Sequence, residues 1–114
     1  MLRSLDESGQ VTLATVNGVV RGSVELGPSK QPGGRVWHVA AVLWYSTRIG
    51  AAPIPRVQVW KDSIGSGIQC QSYDGSFGSA SGSVDLTGSN VLIAEFVGGQ
   101  AGDVITFACS GTQE

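Results

Sequence analysis

The chain has 114 residues, 41% of hydrophobic type, with 17 glycines and a net charge of -2. That composition is too apolar for a disordered chain and is the size of one domain with one core. The seven basic residues are spread out and offset by acidic ones, so nucleic acid is not an expected partner. No run approaches the roughly 18 apolar residues that would cross a bilayer, and MLRSLDESGQ lacks the apolar stretch of a secretory signal. A membrane is therefore not expected as a partner either.

Residues 1–10 are polar and contain Gly9. They read as a flexible arm, or as one ordered only against a partner, and 11–114 read as a single β-sandwich domain. Val11, Leu13 and Thr15 alternate with Thr12 and Ala14 as a first short strand. Asn17-Gly18 is the strongest hairpin signal in the chain, and Val19 to Leu26 is the returning strand. A Gly- and Pro-rich loop follows, from Gly27 to Gly34. The run from Arg35 to Thr47 is the longest. Trp37, Val39, Ala41, Leu43 and Tyr45 share one phase, and Val36, His38, Ala40, Val42 and Trp44 the other. Both phases are largely apolar, so it reads as a central strand covered on both sides. A buried helix competes, but the β-branched and aromatic content argues against it.

Pro53 and Pro55 precede the strand Arg56 to Asp62, with Val57 and Val59 inward. Ile68 to Ser72 is another short strand, and Asp74 to Gly82 reads as a Gly- and Ser-rich loop containing Phe77. Ser83 to Leu86, Val91 to Val97 and Asp103 to Ser110 complete the strands. About eight short strands at close spacing, with no helical period, predict an all-β, two-sheet antiparallel β-sandwich of jelly-roll type. An immunoglobulin-like sandwich comes second, because Trp37 and Trp44 both precede Cys70.

No group of residues is equipped for chemistry. His38 is the one histidine and has no motif partner. The chain has no G-x-S-x-G elbow, no EF-hand spacing and no phosphate-binding glycine fingerprint. Catalytic residues, metal ligands and cofactors are therefore not expected, and the protein is read as a non-enzyme. Cys70 and Cys109 read as buried free thiols, with a disulfide as the alternative. Trp44 and Trp60 lie on the phase opposite the presumed core residues of their strands. Three readings stay open for them: a protein interface, a sugar-stacking site, or cover for the second face of a sheet. The expected interface residues are Leu5, Val11, Leu13, His38, Trp44 and Trp60.

Gly33-Gly34-Arg35-Val36-Trp37-His38-Val39 after a Gly-Pro turn, the strand Pro55 to Trp60, the Gly- and Ser-rich centre and the turn Val97 to Asp103 carry a resemblance. The chain resembles small all-β accessory virion proteins of tailed actinobacterial phages over residues 10–111. The resemblance implies a capsid decoration protein that binds and stabilises the lattice of the major capsid protein. It also implies a homo-oligomer, a trimer before other orders, on the capsid surface of a virion assembled in the host cytoplasm. A small tail or head-fibre component, or a lectin-like β-sandwich binding module, is the alternative.

Overall fold

The computed structural model describes residues 2–30, 36–48, 53–66 and 70–114. The expected loop at 31–34, the start of the long strand at Arg35, and Ile68 lie outside the described residues. Among the described residues nine strands form: β1 (Arg3–Thr12), β2 (Ala14–Val16), β3 (Val19–Leu26), β4 (Trp37–Ser46), β5 (Arg56–Lys61), β6 (Cys70–Ser72), β7 (Phe77–Leu86), β8 (Leu92–Val97) and β9 (Val104–Gln113). They build two antiparallel sheets, in the orders β1-β9-β4-β7 and β2-β3-β8-β5-β6. With β2 set aside, 1-9-4-7 facing 3-8-5-6 is the strand order of a jelly roll. The expected fold class therefore stands.

Alternation places the core. Val24 and Leu26 of β3, Val57 and Val59 of β5, and Leu92, Ala94 and Phe96 of β8 point inward from one sheet. Ile105, Phe107 and Cys109 of β9, with Leu86 of β7, meet them from the other. Each fully buried large apolar side chain contributes about 1.5–3 kcal/mol relative to exposure. The Asn17-Gly18 turn forms as expected, with φ of 50° and 79° and Val16 paired to Val19. Those two positive φ values define the turn whose twist matches the flanking strands.

From Arg3 onward, residues 1–10 are not the expected arm. Arg3 to Thr12 pair with Gln113 to Val104 along the whole of β9. The polarity of this segment concealed a strand with one inward phase: Leu5 is buried, and Val11 packs against the core. Gly9, on the same phase, leaves room for Val24 and Leu26. The first strand is split at Leu13, where the chain passes from one sheet to the other. There the Leu13 N–H donates to the Asp103 carbonyl and its carbonyl accepts the Gly102 N–H, both at 2.8 Å.

The expected loop from Asp74 to Gly82 is also corrected, because β7 begins at Phe77. Gly78, Ser79, Ala80, Ser81 and Gly82 carry no apolar alternation. Their extended form is supplied by the ladder with β4.

Candidate protein interface

The outer face of the β1-β9-β4-β7 sheet depends on one irregularity in β4. Val39 pairs with Gly111 and Ala41 with Ser110, so β4 carries one more residue than β9 at this point. A β-bulge of this kind exchanges the two faces of the strand beyond it. Trp37 and Val39 point inward before the bulge, and Val42, Trp44 and Ser46 point inward after it. His38 therefore shares the outer face with Leu43 and Tyr45.

Trp44 is thus a core residue, 3% exposed. Its indole Nε1 donates to the Asp74 carbonyl at 2.9 Å. Gly78 makes space for the ring, since a Cβ there would lie 2.8 Å from Trp44 Cζ2. Tyr45 had shared the phase of Trp37, yet it is exposed beside Leu43. Tyr45 pairs across the ladder with Phe77, which is 61% exposed. Leu43 stands opposite Ala108 and Ser79. A shallow groove of about 120 Å³ runs beside it, lined by Asp6, Ala41, Leu43, Ser79, Ala108 and Ser110 among others. Small side chains form its floor and Leu43 its apolar wall.

The other end of this face is polar. His38 Nδ1 lies 2.8 Å from Asp85 Oδ1, and His38 Nε2 lies 2.7 Å from Glu114 Oε2. With a carboxylate at each nitrogen, the imidazolium donates in both directions. The hydrogen bond to Asp85, followed by that to Glu114, raises the His38 pKa above its ordinary value. Glu114 is also tied down by its backbone, whose N–H donates to the Val36 carbonyl at 2.9 Å.

Most of the expected interface residues belong to the interior of the chain itself. Leu5 and Leu13 are 2% and 1% exposed, and Val11 is partly buried. Trp60 lies on the phase opposite Val57 and Val59, paired with Ile93, and both are buried there. Its Nε1 has no hydrogen-bond partner among the described residues. His38 alone of the six keeps an appreciably exposed side chain on the face described above. Leu43, Tyr45 and Phe77 were missed. Both phases of β4 are apolar, and a phase exchange at a bulge is one cause of that pattern.

Both cysteines are free thiols. Burial pushes the Cys109 thiol up to about 12, helped by the Glu7 charge, and burial also raises Cys70. Among the described residues no group of three or more His, Cys, Asp and Glu side chains is placed to hold a metal ion. At the loop end, Arg48 grips Asp103 through Nε at 3.0 Å and Nη2 at 2.8 Å, and Nη2 also donates to the Pro53 carbonyl.

No protein-family model matches the chain, and neither the curated proteins nor the solved structures compared with it give a significant match.

Proposed function

We propose that this chain is a non-catalytic structural protein of a phage virion, a capsid decoration protein that docks on the lattice of the major capsid protein and stabilises it. One observation carries the docking part of this reading. Leu43, Tyr45 and Phe77 stand 43%, 47% and 61% exposed, on a sheet face whose neighbouring positions are small. Rigid aromatic and aliphatic side chains over small neighbours supply the desolvated centre of a protein interface. The virion context comes from the resemblance of the sequence. The jelly roll fits it, since that architecture serves capsid and lectin domains alike.

Cryo-electron microscopy of the purified parent particle tests the proposal. Density for this jelly roll on the capsid shell, with Leu43 and Tyr45 against the lattice, is the expected result. A particle whose shell lacks the protein overturns it. The Tyr45–Phe77 pair beside the groove also fits the lectin-like reading, since aromatic rings stack on sugars. A glycan-array signal abolished by Tyr45→Ala, in a protein absent from the shell, would put that reading in its place.

A further inference from the structure

The two sheets expose four edges, and the chain protects three of them. β2 is three residues long, and β6 spans three of the described residues. β1 is ten residues long but carries Arg3, Asp6 and Glu7, and Glu7 sits on the inward phase of Leu5. Short strands and inward-pointing charges are devices that stop an edge from recruiting another strand. β7 lacks both. It is ten residues long, and Asp85 is its one charged residue, near its far end. It contains no proline, lysine or arginine.

Among the described residues β7 pairs with β4 alone, so the backbone groups along its other side have no strand to bond. The segment from Phe77 to Ser81 stays in register with β4, from Tyr45–Phe77 to Ala41–Ser81. The irregularity in this ladder falls beyond it, between Ser81 and Val84. Ser79, Ser81, Gly82 and Ser83 are exposed, and a Cβ added at Gly82 meets nothing within 4 Å. Regular, uncharged backbone of this length, unobstructed among the described residues, is a template for strand addition.

We propose that β7 is a self-association edge, and that its occupant is the β7 strand of a second copy of this chain. Within a homo-oligomer no other exposed edge among the described residues matches it. β2 is too short, β6 offers three residues among those described, and β1 brings charge to a neutral strand. The pairing is antiparallel about Ser79, so Phe77 of one copy faces Ser81 of the other and Gly78 faces Ala80. Facing residues then share the same phase, as a continuous sheet requires. The contact is two-fold and uses the same patch on both copies. It joins two four-stranded sheets into one of eight and carries the Tyr45–Phe77 patches onto one continuous outer face. This two-fold arrangement differs from the trimer that the sequence resemblance implies.

Analytical ultracentrifugation of the full chain tests the edge. A monomer–dimer equilibrium is expected, with the double variant Ser79→Lys, Ser81→Lys raising the dissociation constant at least tenfold. Ser8→Lys on β1, also exposed, should leave it unchanged. Thermal unfolding of each variant shows whether the fold survives. If the lysine pair unfolds the chain, Ser79→Cys decides instead, because residue 79 meets its own copy at the two-fold axis and a disulfide-linked dimer forms on oxidation. The raised thiol pKa values of Cys70 and Cys109 keep the native background low. A wild-type chain monomeric up to about 1 mM, a trimer, or a dimer indifferent to both variants would overturn the proposal. It does not rest on the virion reading: a chain that fails to dimerise can still dock on a capsid, and one absent from the capsid can still dimerise.

Discussion

Gly111 stands across the ladder from Val39, where any side chain on it would run into the carbonyl oxygen of His38. Its φ is +156°. This contact lets β9 pass the bulge of β4 without losing either strand, and the bulge decides which half of β4 faces the core. Gly111→Ala cannot relieve the clash by a rotamer change, because the obstacle is backbone. We expect it to destabilise the fold by more than about 2 kcal/mol, the range of strained backbone substitutions. Urea unfolding followed by tryptophan fluorescence measures this, and a loss under half that size would show that the bulge relaxes easily.

The exchange of faces at that bulge separates Trp44 from Tyr45. Trp44→Ala empties a buried site over Gly78 and removes the bond to the Asp74 carbonyl, so it should cost about 3–5 kcal/mol. Tyr45→Ala removes a ring that is half in solvent, and should change stability by no more than about 0.5 kcal/mol. The reverse order in chemical denaturation would place the tyrosine inward and sink the assignment of faces.

These two residues also mark how far the sequence could be read. The all-β class, the Asn17-Gly18 hairpin and the strands Val19–Leu26 and Arg56–Lys61 follow from local alternation and turn chemistry, and the structure contains them. Alternation carried unbroken from Trp37 puts Trp44 on the outer phase, and the bulge reverses it. One inserted residue in a ladder leaves no local mark when both phases are apolar. β1 and the first half of β7 were missed for another reason. Their extended form is imposed by β9 and β4, partners distant in sequence, while their own side chains are polar or small. The exposed stripe of Leu43, Tyr45 and Phe77 needed both pieces of information together.

Arg48 and Asp103 join the segment after β4 to the turn before β9, and Pro53 adds a third attachment. The guanidinium holds the Asp103 carboxyl below its ordinary value, and the Gln100 N–H bond assists. Arg48→Ala leaves a carboxylate that is 8% exposed short of its main partner, and should destabilise the fold. The folded pKa is depressed, so this contribution is present above the unfolded Asp103 pKa and is lost as pH falls through the folded one. Unfolding free energies measured down the acid limb should therefore fall less steeply in Asp103→Asn than in the wild type. Equal slopes would mean that the pair is not coupled to folding.

Cys109 provides a chemical check on the interior. Its thiol is buried on β9 and pushed up to about 12, so almost no thiolate exists at neutral pH to attack an alkylating agent. Mass spectrometry after iodoacetamide treatment of the native protein should find Cys109 unmodified, and both thiols modified after denaturation. Rapid native modification of Cys109 would show that the β1 side of the sandwich opens.

His38 reads pH at the opposite end of the outer face. Its imidazolium donates to Asp85 on β7 and to Glu114 just past β9, and these bonds raise its pKa above the ordinary histidine value. A raised folded pKa means the stabilisation is complete below the unfolded value and disappears as pH rises through the folded one. The side chains are well exposed, so the effect is modest and screened by salt. A proton NMR titration should place His38 above the free imidazole value, with Asp85→Asn lowering it more than Glu114→Gln, since the Asp85 bond is the larger cause. His38→Asn should flatten the stability profile above the ordinary histidine pKa, where the wild type loses this contribution as pH rises. A titration at the free-histidine value, unmoved by either carboxylate variant, would show that the ring does not hold its two partners in solution.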